Sequence, residues 1–388
     1  MQIIPVATTE ASIDFFKLPL FIYKDDTNWI QPLNKDVEEV FNEKKNKAFR
    51  TGKAQRWILK NKQLKTIGRI AAFTNTKYKN KGDDVAVGCM GFFECINDIN
   101  AATLLLDTAK NWLHKEGMQG MDGPVNFGER DKWWGVLTQG YMPPLYGMNY
   151  NPPYYVALLE NYGFKLFYEQ ICFGLQPKAP LDKKIWDRHN ELALDPKFTS
   201  THLQKKDITK YAKDFTIVYN KAWAGHGGLK QLNELQVQLM FSKMKPIMNE
   251  KIIWFAYYDN EPVAMFINLP DLNQWFKYLH GKFGLLQKIK FLLVKQFTKN
   301  KKFTGLVFGV VPEWQGKGVD AYIIAESTKY VQTDASPYEQ YEMQWIGDFN
   351  PKMLNVASSL GKTYVSRKLS TYRYLFDREK EFVRHPML

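Results

Sequence analysis

Val311-Pro312-Glu313-Trp314-Gln315-Gly316-Lys317-Gly318 joins an apolar run, Gly305-Leu306-Val307-Phe308-Gly309-Val310, to a helix-forming segment that contains Ala321-Tyr322-Ile323-Ile324-Ala325. A strand that enters a glycine loop and then a helix is suited to hold an anion. The first N–H groups of the helix have no intrahelical acceptor, and the helix dipole adds partial positive charge at that end. Glycine lets the backbone approach a phosphate where a Cβ would stand in the way.

The elements that must position this loop occur twice along the chain, which is the signature of a repeated unit. In the first half a strand, Ile67-Gly68-Arg69-Ile70-Ala71-Ala72-Phe73, is followed by Val87-Gly88-Cys89-Met90-Gly91-Phe92-Phe93-Glu94. The spacing of Leu105, Ala109, Trp112 and Leu113 predicts a helix over 101–115, capped by Asp98 or Asn100 and stopped by Gly117. In the second half, two strands flank Asp259-Asn260-Glu261 as a hairpin, and the glycine-loop strand and its helix follow. Each half then continues with a strand, 121–126 or 341–346. It closes with a helix that ends in glycine, Gly163 or Gly361, and a last strand pair. The expectation is α+β, with a unit at 1–177, a linker at 178–196 and a second unit at 197–388.

Bulk properties narrow the class. A chain of 388 residues with 45% hydrophobic residues supports two packed domains and argues against disorder. A net charge of +13 allows anionic ligands, nucleic acid or a membrane surface as partners without choosing among them. Cys89, Cys95 and Cys172 lack the spacing of metal ligands or of a disulfide framework, so no metal is expected. A reducing cytoplasm fits that cysteine usage. No secretory pattern opens the chain, and Lys288, Lys290 and Lys295 interrupt its longest apolar stretch.

The order strand, V-x-P-x-x-Q-x-x-G loop, helix, strand, then a helix opening at Asn350-Pro351-Lys352 and ending at Leu360-Gly361, resembles the GNAT superfamily of acyl-CoA-dependent N-acyltransferases. Gly68-Arg69-Ile70, Gly91-Phe92-Phe93-Glu94, Gly123-Pro124-Val125-Asn126, Asn220-Lys221-Ala222-Trp223 and Pro270-Asp271-Leu272-Asn273 extend it to a tandem group of mostly bacterial GNAT-like proteins. The resemblance covers nearly the whole chain. It implies two tandem GNAT domains, each a mixed twisted sheet flanked by helices, and a V-shaped opening between two central strands that takes acetyl-CoA or another acyl-CoA. Val310 and Val311 would then contact the pantetheine, Gln315, Gly316, Lys317, Gly318 and Val319 the pyrophosphate, and Asn350 would wall the thioester.

Departures from the family pattern bear on catalysis. Ala357 stands where a tyrosine usually protonates the leaving thiolate, Asp320 replaces the last small residue of the loop, and 305–311 carries no acidic base. The remaining catalytic candidates are Glu342 and Tyr341, with Asp348, Tyr338 and Tyr322 nearby, and His226 in Gly225-His226-Gly227-Gly228. The first half has Glu94-Cys95-Ile96-Asn97-Asp98-Ile99-Asn100 in place of a glycine loop and is expected not to bind CoA in the usual way. It would complete the acceptor cleft, with Asn126, Tyr146, Tyr154 and Tyr155 as substrate-binding candidates on an aromatic-rich connection. Between Asp271 and Glu313 the only charges are lysines. There Phe283, Leu286, Ile289, Leu293 and Phe297 form one apolar helical face. This face is expected to pack on its own domain, with a membrane surface as the less favoured alternative.

The sequence therefore reads as a cytoplasmic N-acyltransferase moving an acyl group to a small-molecule or peptide amine. A non-catalytic acyl-CoA or ligand-binding protein on a decayed GNAT fold is one alternative. An aminoacyl-tRNA-dependent transferase is the other, although the retained loop glycines disfavour a nucleic-acid partner.

Overall fold

The computed structural model describes residues 1–223 and 231–388. Its first half runs β1 (Gln2–Pro5), α1 (Thr9–Ile22), α2 (Asn34–Val40), β2 (Gly52–Lys60), β3 (Thr66–Asn75), β4 (Val87–Cys95), α3 (Ile99–Lys115), β5 (Gly120–Gly123), β6 (Val136–Gln139), α4 (Tyr155–Tyr162) and β7 (Lys165–Leu175). After α5 (Lys183–Leu192), the second half runs β8 (Phe198–His202), α6 (Ile208–Trp223), α7 (Glu234–Met244), β9 (Ile253–Tyr258), β10 (Glu261–Pro270), α8 (Asn273–Phe276), α9 (Leu285–Phe297) and β11 (Lys302–Val310). It ends with α10 (Val319–Val331), β12 (Gln340–Met343), β13 (Ile346–Gly347), α11 (Pro351–Ser359) and β14 (Tyr364–Leu375).

Local chemistry accounts for the elements that repeat. Asp98 caps α3 by accepting from the N–H groups of Asn100 and Ala101 at 2.8 and 3.0 Å, a contribution of about 1 kcal/mol. Leu105, Ala109 and Leu113 fall on one face of that helix and are fully buried under the first-half sheet. Asp259 and Asn260 both take left-handed backbone angles, φ 51° and 65°, as a tight β9–β10 turn requires. Gly163 closes α4 at φ 105°.

The sheet joins the two halves in an order that local patterns do not contain: β1-β2-β3-β4-β5-β14-β7-β12-β11-β10-β9-β8. Each half gives its closing strand to the other. The last strand of the chain, β14, pairs antiparallel with first-half β5, while first-half β7 pairs antiparallel with second-half β12. The two exchanged strands pair with each other from Tyr364↔Gly174 to Arg373↔Lys165. The strand expected over 341–346 is broken into β12 and β13, because β12 follows β11 and β13 turns to pair with β7.

One expectation is corrected. The helix α9 forms, but Leu286, Ile289, Leu293 and Phe297 do not pack on the domain and remain 76%, 58%, 54% and 80% exposed. The side it buries carries Phe291 and Val294, which meet Leu33, Trp275 and Phe276. Both sides of this helix are apolar, and the one holding a phenylalanine in an aromatic cluster was taken inward.

Buried ion pairs fasten the exchanged strands. Arg373 of β14 holds Asp122 of β5 with two hydrogen bonds of 2.7 and 2.8 Å and reaches Asp83 at 2.8 Å. Arg367 of the same strand holds Glu342 of β12 at 2.5 and 3.0 Å. Removing one partner strands a charge out of water. Arg373→Leu is expected to lower unfolding stability by about 3–5 kcal/mol in urea titrations, whereas Lys183→Ala, which breaks an exposed pair, leaves the midpoint unmoved.

Candidate active site

The site grows from a failure of strand pairing. β11 and β12 run parallel from Lys302↔Gln340 to Gly305↔Met343, and the Gln344 N–H still reaches the Gly305 carbonyl at 3.3 Å. Beyond that point the two diverge. β11 stays paired with β10 as far as Val310↔Ala264, so its edge over 306–310 has no strand partner on the β12 side. The result is the V-shaped opening, and the backbone groups along that edge are available to a ligand.

A cavity of ≈ 340 Å³ occupies the opening. Gly305 to Phe308 form one wall and Met343 to Ile346 the other, with Tyr219 and Trp223 of α6 and Met353 of α11 closing it. Trp223 lies flat enough on β11 that a Cβ at Gly309 would stand 2.4 Å from its ring, which explains the glycine there. Behind Tyr341 and Phe266 a second apolar cavity, ≈ 60 Å³, runs toward Pro177, Ile252 and Val331. The two share Phe266, Ile324, Tyr341 and Leu360 as common lining, so they adjoin, and the pair, divided by these side chains, makes an apolar trough that begins at the opening.

The phosphate-loop candidates lie at one end of β11. Val311 is buried and starts a turn through Pro312 to Trp314, and Gln315 donates to the Val310 carbonyl at 3.0 Å. Gly316 and Gly318 take φ 73° and 85°, and Gly318 is the N-cap of α10 without any side-chain cap, leaving the first N–H groups free of one. Nothing lies within 4 Å of a Cβ built on Gly316, so the loop presents an open face. Lys317 sits over the Trp314 ring at 5.1 Å, Val319 is buried, and Arg188 of α5 packs beside Gly318. Asp320 is exposed in the first turn of α10. Asn350 caps α11, accepting from the Met353 N–H at 3.2 Å.

The catalytic candidates separate by strand periodicity. Tyr341 and Glu342 are neighbours on β12 and therefore face opposite sides of the sheet. Tyr341 faces the trough, its hydroxyl 2.1 Å from where a Gly305 Cβ would be, and burial raises its pKa above the ordinary phenol value. Glu342 turns the other way, accepting from Arg367, Lys302 and Ser366. Burial alone would raise its carboxyl, but Arg367 and Lys302 outweigh that and hold it below the usual carboxylate range. Asp348 pairs with Arg384 at 2.5 Å, and the Tyr338 hydroxyl accepts from Asn249 at 3.0 Å. His226 lies outside the described residues. Trp345, which the sequence reading passed over as a site residue, lines the opening and packs also against two buried, mainly first-half clusters, one containing Trp133 and Trp134 and the other Leu137 and Met148. Its only signal was a position two residues past Met343.

The first-half candidates do not converge on one point. Tyr155 donates to Glu94 at 2.7 Å, Tyr23 donates to the same carboxylate at 2.8 Å, and Arg69 approaches it at 3.4 Å. Burial raises the Glu94 pKa despite these partners. Glu94, Arg69 and Tyr155 border, with Tyr146, a cavity of ≈ 90 Å³. Tyr154 donates to the Cys95 carbonyl at 2.8 Å, and Tyr146 donates to Asp36 at 2.6 Å. Asn126 lines a different, open cleft with Arg130 and Lys132.

No family model matches the chain. It is 23% identical over 384 residues to a bacterial ceramide synthase of Caulobacter vibrioides, covering 96% of both chains. It is 24% identical over 358 residues to the protein YghO of Escherichia coli, covering 89% of this chain and 88% of that one. Among solved structures, a tandem GNAT protein from the clavulanic acid biosynthesis pathway superposes with a TM-score of 0.53 at 10% identity, covering 98% and 99% of the two chains. A GCN5-related glucosamine N-acetyltransferase region of a fungal multi-domain β-N-acetylglucosaminidase also gives 0.53 at 11% identity, covering 96% of this chain, which spans 38% of that longer protein. Among the described residues no helix is long and apolar enough to cross a membrane, and no group of side chains could hold a metal ion. With its repeated units, parallel central strands and the opening between them, the chain has the tandem GNAT-like fold.

Proposed function

We propose that this protein is an N-acyltransferase that moves an acyl group from acyl-CoA to the amine of a long-chain amphiphile, such as an amino alcohol of the sphingoid type. The observation that carries the reading is the apolar trough that opens where β11 and β12 part, beside a loop with the open backbone a pyrophosphate needs. The ceramide synthase relative supports a long-chain acceptor. The first half would wall the acceptor cleft, chiefly through Trp345 against its aromatics, and the units at 1–177 and 197–388 would act as one catalytic body.

In this reading the free edge of β11 positions the thioester and its N–H groups stabilise the oxyanion as the amine nitrogen bonds to the carbonyl carbon. The carbon–sulfur bond breaks, the thiolate takes a proton, and the amine gives one up. Among the described residues around the opening there is no carboxylate or imidazole, so Tyr341 and Tyr219 are the groups able to exchange protons there. Tyr341, held protonated by burial, suits the role of donor to the leaving sulfur. Glu342, already paired, serves to fix β12.

Release of free CoA thiol from palmitoyl-CoA in the presence of sphinganine, with the amide product confirmed by mass spectrometry, is the direct test. Binding of acyl-CoA without thiol release across a panel of amines would instead establish a binding protein. Tyr341→Phe is expected to reduce kcat by about 100-fold with KM nearly unchanged. Its melting temperature should hold, because the hydroxyl has no hydrogen-bond partner among the described residues. Gly316→Asp should weaken CoA binding about tenfold or more in calorimetry by placing a carboxylate on the open loop. Gly316→Asn, equally tolerant of the left-handed angle, should bind nearly as the wild type does.

A further inference from the structure

The helix α9 spends only one of its two apolar sides on the fold. Phe291 and Val294 face the aromatic cluster beneath, while Leu285, Leu286, Ile289, Leu292, Leu293 and Phe297 face away, between 54% and 80% exposed. A helix at the surface of a water-soluble domain normally turns a charged side outward. Here the outward side is uncharged. At about 100° per residue, Lys288 and Lys295 border this face on one flank and Lys290 on the other. Lys288 and Lys290 are exposed and make no ion pair among the described residues, and no acidic residue occurs between Asp271 and Glu313.

We propose that α9 docks this face on an anionic lipid surface, lying in the plane of the headgroups with its leucines below and its lysines level with the phosphates. An apolar stripe edged by cations matches that environment on both counts. A second copy of the chain fits it less well, because face-to-face packing would bring the two lysine rows together. The helix is firmly mounted for such a contact: Phe291 is buried, and Lys295 bonds the Pro246 carbonyl and lies over the Trp275 ring. The docking is peripheral, since no helix among the described residues is able to span a bilayer. The inference rests on α9 and its flanks and stands whatever the acyl acceptor is.

Co-sedimentation of the full chain with vesicles tests it. Vesicles of phosphatidylcholine with one third phosphatidylglycerol should bind the protein, and phosphatidylcholine alone should bind it weakly. High salt should reduce binding to the anionic vesicles. Ile289→Glu with Leu293→Glu, and separately Lys288→Glu with Lys290→Glu, should each weaken binding about tenfold or more while circular dichroism and melting stay unchanged. The proposal is overturned by a wild type that ignores anionic vesicles or by binding that neither pair of substitutions alters. Self-association in sedimentation velocity that the Ile289→Glu, Leu293→Glu variant abolishes would assign the face to a second copy and overturn it equally.

Discussion

The antiparallel pairing of β7 with β14 is the constraint on which the rest of the molecule depends. Each of these strands closes the half to which it does not belong in sequence, so the two units form one continuous sheet. The exchange also shapes the site. After Met343 the chain leaves β11 and turns to pair Ile346 and Gly347 with Ile171 and Gln170 of β7. A strand contributed by the first half thus holds one wall of the second half's opening away from the other. Without β7 in that place, nothing in the sheet would hold β13 away from β11.

Polar side chains set the register of this seam. Arg373 and Arg367 lie six residues apart on β14, on the same face of the strand, and reach carboxylates from opposite halves: Asp122 with Asp83, and Glu342. Such pairs add little net stability over apolar packing, but an uncompensated charge in any shifted register would be costly. Arg367 also donates to the carbonyl of Pro143 at 3.1 Å, tying the aromatic-rich connection of the first half to the same point. The depressed pKa of Glu342 follows from this work. A carboxylate holding two cations at a strand seam is a poor proton acceptor, whereas its neighbour Tyr341, on the other face, is left to the cavity.

Much of the fold was legible because its determinants are local. The Asp98 cap, the 3.6-residue spacing of Leu105, Ala109 and Leu113, the left-handed Asp259-Asn260 turn and the paired glycines at 316 and 318 each act within a few residues. The exchange was not legible, since β7 and β14 have the length and alternation of ordinary closing strands and nothing nearby in sequence names their partners. Glu342 was read as a candidate base for the same reason: its cations come from 40 and 25 residues away. For α9, periodicity identified an amphipathic helix but could not choose between two apolar sides, and the choice was made by Trp275, Phe276 and Leu33, the last from the other half. Of the proposed site, the loop was visible in sequence, while the trough was not, because Tyr219, Trp223, Phe266 and Trp345 meet only in the folded chain.

The repeat allows the two halves to be compared as an experiment already performed on one fold. At the start of α3 the N–H groups of Asn100 and Ala101 are taken by the protein's own carboxylate, Asp98. At the equivalent start of α10, Gly318 has no side chain to offer and those groups stay open to a ligand. The same contrast holds deeper in each unit. In the first half Tyr23 and Tyr155 satisfy Glu94 and crowd the region beside β4, leaving ≈ 90 Å³, whereas the second half keeps ≈ 340 Å³ lined by apolar side chains. An internal carboxylate at a helix start supplies the anion that a phosphate would otherwise provide, and an internal hydrogen-bond cluster supplies the contacts that a ligand would otherwise make. At these two positions the first half supplies its own partners, although Arg69 Nε in the same cluster stays unpaired, while the second half leaves the helix start uncapped and the opening apolar.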